Sequence, residues 1–193
     1  MTDGITAFAN ACRRLMVPPT PQVLLLSTQA QAGLLLRQQG GQAGGFPFYT
    51  TENIFRVSTA RSGTGQQINS LKTPLGLHRI AQKIGGFQLK GTIFKARQPI
   101  GLTWQGQPEA EIAHRILWLD GMEPGFNNGG NVDSFGRYIY IHGVGNERWL
   151  GRPRSQGCIH MAAADLIPWF DGVPTGTLVW IGEFPLLHAG ALS

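Results

Sequence analysis

Residues Gln22 to Gln39 read QVLLLSTQAQAGLLLRQQ, two short apolar runs separated by small and polar residues. Runs this short, cut by turn residues, are typical of β-strands rather than helices. The same pattern recurs further along the chain in NIFRVSTAR, GTIFKAR, HRILWLDG, RYIYIHG and TLVWIGE. The sequence therefore predicts a mainly β fold with a largely antiparallel or mixed sheet. The glycine-rich segment 38–45 lies between two such runs, which favours a hairpin loop over a domain boundary.

A few short helices are expected beside the sheet. Apolar residues near the N-terminus recur at helical spacing: Ile5, Phe8, Cys12 and Leu15. The prolines at positions 18 and 19 end this amphipathic helix, and Cys12 on its apolar face is interpreted as a small core residue. MAAADLIPWF, residues 161–170, predicts a second helix that Pro168 limits. The polar connection Asn127 to Arg137 indicates either a functional flap or a plain disordered turn.

Composition excludes several classes of protein. The chain has 193 residues, of which 42% are hydrophobic and 14% charged, as in one ordinary packed domain. Its formal net charge is +5, but Lys and Arg are scattered singly, without interleaved aromatic residues. This pattern disfavours nucleic-acid binding and suits an anionic polymer or a peptide rich in carboxylates.

The sequence shows no membrane segment and no secretory signal. No apolar run approaches the roughly 20 residues that cross a bilayer. Arg13 and Arg14 follow the mildly apolar stretch 5–12, whereas a signal peptide places its basic residues first. If Met1 is the native start, the sequence predicts a cytoplasmic protein. The alternative is a periplasmic protein whose signal peptide has been removed.

One cysteine and one histidine are placed for nucleophilic chemistry. A cysteine attacks only as thiolate, and its unperturbed pKa near 8.5 means that a base must assist at neutral pH. His142 ends a predicted strand before Gly143, and the loop up to Cys158 is long enough to bring the two side chains together. Gly157 leaves room for a substrate backbone, so the amides of Gly157 and Cys158 are candidate oxyanion donors. These features suit acyl transfer through a thioester, although a structural cysteine remains an alternative.

The other histidines and cysteines do not indicate a metal site or a disulfide. Cys158 and His160 form a C-x-H pair, which lacks the usual spacing of zinc ligands and has no carboxylate cluster beside it. Two cysteines so far apart do not make a disulfide framework. The remaining histidines, interpreted as satisfied core or surface residues, are His78, His114 and His188. No metal and no cofactor are predicted.

The segment from His142 to Met161 resembles a known catalytic signature. The order IHG, then a variable loop with Gly151, then S-x-G-C-I-x-M is similar to that of the L,D-transpeptidase family, also called the YkuD domain. Upstream, RVSTARSGTG and NSLKTPLGLHRIAQKIG are similar to the family's strand and its TP-x-G segment. The resemblance covers approximately Val23 to Gly182. It implies a β-rich, sandwich-like catalytic domain over 22–185. The predicted helix then makes 1–21 an N-terminal helical extension, and 186–193 is expected to be a C-terminal tail.

The resemblance also implies a substrate and residue roles. Family members act on the tetrapeptide stem of peptidoglycan. Cys158 would attack the carbonyl at the L centre of diaminopimelate and expel the terminal D-alanine. His142 would take the thiol proton, with its ring oriented by the main-chain carbonyl of Gly143. Ser155 would shape the loop, and Gly157 with Cys158 would stabilise the oxyanion.

Other positions are assigned more loosely. Tyr138 and Trp149 are candidates to line the pocket, and core packing explains either equally well. The sequence departs from the family pattern after the histidine, where Val144 replaces the usual Thr or Ser, and after the cysteine, where His160 replaces Arg or Asn. If the usual residue at 160 grips the substrate, His160 would make that grip depend on pH. Gln156 replaces a frequent histidine. Thr73, Pro74 and Gly76 are expected to form the floor of the fold rather than touch substrate.

The sequence does not indicate which group accepts the acyl chain from the enzyme. Water would give a trimmed tripeptide, and an amine from another stem would give a crosslink or an exchanged D-amino acid. A cytoplasmic member would meet soluble muropeptides, so an L,D-carboxypeptidase of muropeptide recycling is favoured. The alternatives are an L,D-transpeptidase, an effector delivered into competitors to damage their wall, and a muropeptide-binding module without activity. The oligomeric state is not predicted.

Overall fold

A computed structural model of the chain describes residues 3–40 and 45–186. Within them lie two α-helices, α1 (Gly4–Leu15) and α2 (Ala163–Gly172), and ten strands. The strands are β1 (Gln22–Ser27), β2 (Ala32–Gln39), β3 (Phe48–Ser58), β4 (Gly76–Ile84), β5 (Thr92–Lys95), β6 (Gln98–Leu102), β7 (Ala113–Gly121), β8 (Tyr140–Gly143), β9 (Ile159–Met161) and β10 (Leu178–Gly182). The predicted mainly β fold with a few short helices is confirmed. His188 and nearly all of the predicted tail lie outside the described residues.

Three strands, β4, β6 and β9, were not among the predicted runs. GLHRIAQKI in β4 mixes apolar and polar residues without regular alternation, because the strand has neighbours on both sides and buries polar groups with partners. QPIGL in β6 contains proline and glycine and is largely exposed, and β9 is only three residues long. The predicted hairpin between β2 and β3 pairs antiparallel as expected, although residues 41–44 of its loop lie outside the described part.

The strands form one mixed sheet that closes on itself. Their order is β4-β10-β1-β2-β3-β9-β8-β7-β5-β6, and β4 also pairs with β7. This additional pairing joins the first strand of the order to the eighth, so the sheet becomes barrel-like, with β5 and β6 as an appended hairpin. The pairs β1–β10 and β8–β9 are parallel, and the other pairs are antiparallel. The prediction of a mixed sheet is confirmed.

Alternation in β1 divides the apolar residues between two sides of the sheet. Leu24 and Leu26 join the main cluster, to which α2 contributes Leu166, Trp169 and Phe170. Val23 and Leu25 join a second cluster against α1, which includes Phe8 and the buried Cys12. Each fully buried leucine contributes about 1.5–3 kcal/mol to folding. None of the helices in the described part has the length and apolar character that a bilayer crossing requires.

Two buried side chains attach the long connection between β7 and β8 to β4. Asn127 donates to the carbonyls of Leu75 and Leu77 at 3.0 and 3.1 Å and accepts from the Glu123 amide at 2.9 Å. Both ring nitrogens of His78 are hydrogen bonded, one to Ser134 Oγ at 2.9 Å. The predicted alternative of a plain disordered turn is therefore wrong for this connection.

Glu123 also ties the N-terminal helix to this region. Its carboxylate accepts from the Leu77 amide at 2.7 Å and forms an ion pair with Arg14 of α1. The carboxylate is almost fully buried, so these partners compensate its lost hydration. Helix α1, strand β4 and the 122–139 connection are thus joined at one residue.

Candidate active site

Neighbouring parallel strands bring the predicted nucleophile and base together. His142 of β8 is in register with His160 of β9, and Cys158 immediately precedes β9. The side chains of His142, Cys158 and His160 line one cavity of about 420 Å³. The cavity therefore lies where β8 ends and β9 begins, and residues of the loop between them line it.

His142 is held as a neutral base. Its side chain is buried, and Nδ1 lies 2.9 Å from the carbonyl oxygen of Gly143. A carbonyl only accepts, so Nδ1 carries the proton and Nε2 is left with its lone pair. Burial lowers the pKa of His142 to about 4, against the opposing effect of that hydrogen bond. At neutral pH the imidazole is uncharged and able to accept a proton.

A second histidine fixes the backbone on which His142 depends. His114 Nε2 donates to the carbonyl of Val144 at 3.1 Å, and Nδ1 accepts from the Gly91 amide at 2.7 Å. A Cβ at Gly143 would overlap the His114 ring and the Ala113 carbonyl. Only glycine fits at 143, because the two segments approach so closely. The carbonyl that orients His142 therefore has a fixed position.

The thiol of Cys158 is neutral in the free protein. Sγ donates to the carbonyl of Tyr138 at 3.4 Å, and within the described residues no hydrogen bond joins it to His142. Burial raises the pKa of Cys158 to about 11, although the Tyr140 amide and the charge of Arg137 oppose this. The pair is thus a thiol and an imidazole, not a thiolate and an imidazolium.

Side-chain hydroxyls shape the loop that carries Cys158. Ser155 Oγ donates to the carbonyl of Cys158 at 2.5 Å and accepts from the Gly157 amide at 3.2 Å. Thr73 Oγ1 donates to the carbonyl of Gly157 at 3.0 Å and accepts from the Ala60 amide at 2.9 Å. Gly157 has φ of 127°, a conformation that L side chains rarely adopt.

These contacts separate the two predicted oxyanion donors. The Gly157 amide is occupied by Ser155 Oγ, which differs from the expectation that it faces a substrate carbonyl. The Cys158 amide has no hydrogen-bond partner among residues 3–40 and 45–186. Of the two amides, that of Cys158 is the one available to a substrate oxygen.

Comparison with known proteins places this site in a family. Residues 21–181 match the family model of YkuD, the L,D-transpeptidase catalytic domain. The chain belongs to the L,D-transpeptidase family. No protein of curated description matches the sequence.

Several solved structures align with this chain at low sequence identity. The structure of Bdellovibrio bacteriovorus Bd1075 aligns with a TM-score of 0.54 at 11% identity over 85% of this chain and 48% of that chain. L,D-transpeptidase 3 from Mycobacterium tuberculosis, in complex with a faropenem-derived adduct, aligns with a TM-score of 0.48 at 14% identity over 84% of this chain and 60% of that one. The helical cell shape determining protein Pgp2 from Campylobacter jejuni aligns with a TM-score of 0.47 at 16% identity over 88% of this chain and 49% of that one. This chain thus spans only about half to three fifths of the length of these proteins.

Of the two aromatic residues predicted for the pocket of this L,D-transpeptidase domain, only one lines the cavity. Trp149 lines the cavity, and its carbonyl accepts from Ser58 Oγ at 3.0 Å. The Tyr138 ring is exposed and lies 5.5 Å from the Trp118 ring, and Tyr138 is not among the residues lining the cavity. Tyr138 meets the site through its main-chain carbonyl, which accepts from the Cys158 thiol.

His160 does not carry the pH-dependent charge that the sequence suggested. Its ring centroid lies 4.9 Å from that of His142. The pKa of His160 is lowered to about 3, chiefly by burial and also by the nearby His142 and Arg154, which both disfavour a second positive charge. His160 is therefore neutral at every pH near neutrality, and an electrostatic grip that changes with pH is not expected from it.

Arg137 was missed by sequence reasoning. Its guanidinium donates to the carbonyls of Gln66 and Lys72 at 2.8 and 2.7 Å, which fixes the 65–72 loop. Its charge also lowers the pKa of Cys158, in opposition to burial. Nothing local in the sequence indicates this role, because the carbonyls that it binds lie far along the chain. In the described part of this family member, no three His, Cys, Asp or Glu side chains group as a metal site.

The buried histidines predict a loss of stability in acid. The pKa is lowered to about 4 for both His78 and His142, from an unfolded value near 6.5. Between these values the unfolded chain binds more protons than the folded chain. The stabilising contribution of the two histidines is therefore fully present above about pH 6.5 and falls as pH approaches 4. At pH 5 each histidine should remove about 2 kcal/mol of unfolding free energy, as measured by urea denaturation at pH 7.5 and pH 5. In His78→Asn the difference in unfolding free energy between pH 7.5 and pH 5 should be smaller by the amount assigned to His78. The same difference in the variant and the wild type would contradict the assignment.

Proposed function

We propose that the chain is a cysteine-dependent acyl-transfer enzyme that cleaves the diaminopimelate–D-alanine bond of peptidoglycan tetrapeptide stems. The observation that carries this proposal is the orientation of His142 in the cavity that holds Cys158. Its Nδ1 proton is donated to Gly143, and its Nε2 forms no hydrogen bond with any residue that the structure describes. A structural cysteine would need no such base beside it. Membership in the L,D-transpeptidase family supports the choice of substrate.

In the proposed first step, Cys158 Sγ turns from the Tyr138 carbonyl towards the substrate. It attacks the carbonyl carbon at the L centre of diaminopimelate while His142 Nε2 takes the thiol proton. The Cys158 amide stabilises the negative oxygen of the tetrahedral intermediate. The carbon–nitrogen bond then breaks, His142 returns the proton to the amine of the departing D-alanine, and a thioester remains. Proton transfer must accompany attack, because the thiol pKa of about 11 leaves little thiolate at neutral pH.

Water is the first proposed acceptor of the acyl group. Hydrolysis requires only a water molecule that His142 can deprotonate, and it would make the protein an L,D-carboxypeptidase acting on soluble muropeptides. Transpeptidation or exchange of the D-amino acid is the second candidate. Glu109 and Glu111 line the same cavity, and their carboxylates suit the ammonium group of an incoming amine.

Mass spectrometry of the reaction products tests the proposal. The purified protein is incubated with a disaccharide tetrapeptide containing diaminopimelate, with Cys158→Ala in parallel and Cys12→Ala as the control for the second thiol. Loss of one D-alanine to give only tripeptide supports the carboxypeptidase. A linked dimer or an exchanged D-amino acid supports the second candidate. Product that persists in Cys158→Ala contradicts the mechanism, and binding without any product points to a muropeptide-binding module.

A further inference from the structure

Two arginine side chains in the catalytic cavity have no acidic partner in the described part of the chain. Arg61 and Arg154 line the cavity together with Cys158 and His160. The ion pairs of residues 3–40 and 45–186 are formed by other arginines. Both side chains are exposed to the solvent of the cavity. Two uncompensated positive charges beside a nucleophile are suited to an anionic group on the substrate.

The backbone fixes where these two side chains begin. The Arg61 amide donates to the carbonyl of Ser155 at 3.0 Å, and the Arg154 amide donates to the carbonyl of Thr59 at 2.8 Å. Both arginines therefore leave the same junction between two chain segments. Ser155 in this junction also binds the carbonyl of Cys158 through its hydroxyl. The backbone positions from which both side chains extend are thus fixed relative to the nucleophile.

The other charged groups of the lining do not cancel these arginines. Glu109 accepts from the Asn146 amide group at 2.6 Å and lies 4.0 Å from Arg148. Glu111 lines the cavity and forms no ion pair with Arg61 or Arg154.

Arg154 also has a neighbour that favours a fixed orientation. Its guanidinium carbon lies 5.6 Å from the centroid of the Trp149 ring, within the range of a cation–π contact. Such a contact leaves the edge of the guanidinium, with its N–H groups, free to donate to another group. The charge of Arg154 also reaches His160, whose pKa it helps to lower.

We infer that Arg61 and Arg154 bind a carboxylate of the stem peptide next to the scissile bond, the role that the sequence had suggested for His160. The inference rests on the proposed function. A guanidinium presents a planar fork of donors that matches a carboxylate, whereas neutral His160 offers at most an uncharged hydrogen bond. Two carboxylates belong to the residues that flank the scissile bond: the terminal carboxylate of D-alanine and the carboxylate at the D centre of diaminopimelate.

Amidated substrates test the inference and identify the carboxylate. Initial rates of D-alanine release are measured for Arg154→Gln, Arg61→Gln and the wild type with three peptides: unmodified, amidated on D-alanine, and amidated on diaminopimelate. With the unmodified peptide each substitution should lower kcat/KM by about 10- to 100-fold, the range expected for a lost charge-assisted hydrogen bond. When the peptide is amidated on the carboxylate that the arginines bind, kcat/KM of the wild type should fall by a similar factor. The substitutions should then lower kcat/KM little further.

Arg152→Gln is the matched control. Arg152 is exposed, lies two positions from Arg154 and is not among the residues lining the cavity. It should keep the wild-type kcat/KM with all three peptides. If Arg154→Gln and Arg61→Gln lose the same factor with every peptide, or lose nothing, the inference is overturned.

A binding measurement separates this inference from the proposed function. The affinity of the unmodified peptide is compared by calorimetry in Cys158→Ala and in Cys158→Ala combined with Arg154→Gln. Weaker binding of the unmodified peptide by the double variant supports carboxylate binding, provided that the difference in affinity disappears with an amidated peptide. This holds even if no turnover is found in the wild type. Equal affinities, whatever the turnover, overturn it.

Discussion

Replacing His142 with alanine should lower the rate of D-alanine release at pH 7 by about 10²- to 10⁴-fold, the range that general-base catalysis supplies. The thiol of Cys158 has a pKa of about 11, so at pH 7 only about one molecule in 10⁴ carries the thiolate. Without His142 the reaction must use that fraction. The residual rate of His142→Ala should therefore rise about tenfold per pH unit up to about pH 10, as initial rates of D-alanine release would show.

The wild type should behave differently over the same range. Its base has a pKa of about 4 and its thiol a pKa of about 11, so the rate should be nearly constant between about pH 5 and pH 9. Circular dichroism and thermal unfolding of His142→Ala control for loss of fold. Added imidazole should restore part of the rate if the missing group is a base. Parallel pH profiles for the two proteins would assign the base to another residue.

Replacing Asn127 with alanine should lower the free energy of unfolding by about 3–5 kcal/mol. The substitution removes one acceptor and two donors. The Glu123 amide and the Leu75 carbonyl lose these partners, whereas the Leu77 carbonyl keeps the Met122 amide at 2.9 Å. Each buried polar group that loses its partner costs about 1–3 kcal/mol. Urea denaturation at pH 7.5 measures the change.

Two further variants sharpen this test. Asn127→Asp keeps the acceptor for Glu123 but places a carboxylate against two carbonyl oxygens, so its loss of stability should be at least as large. Asn131→Ala changes an exposed asparagine of the same connection and should alter the unfolding free energy by less than about 0.5 kcal/mol. A change below about 1 kcal/mol for Asn127→Ala would mean that the connection is not anchored as described.

Elements whose stability depends on apolar alternation were predicted correctly from sequence. QVLLLS coincides with β1, and the helical spacing up to Leu15 coincides with α1, because each pattern states which face is buried. β4 was missed, since its buried polar residue His78 is satisfied by Ser134, a partner more than fifty positions away. Short-range patterns contain no information about such partners. The same limit explains why the closure of the sheet by β4 was not foreseen.

The sequence named candidate residues for the site but did not indicate their electrostatics. Cys158 and His142 were identified by residue type and by resemblance to the family, and the structure places both in one cavity. The occupied amide of Gly157 and the role of His114 depend on contacts between segments that only the folded chain brings together. The neutral state of His160 follows from burial, which a residue's identity does not reveal.

The parallel pairing of β1 with β10 has a consequence for the order of events during synthesis. Val23 is in register with Leu178, so β1 lacks this partner until the chain has been synthesised as far as β10. Until then the edge of β1 is unpaired, and β4 also lacks its neighbour β10. Pairing across such a separation is slow, and an open strand edge invites aggregation. The nascent chain should therefore close its sheet only after β10 has been synthesised, and a chain cut before Leu178 should be insoluble rather than a smaller folded domain.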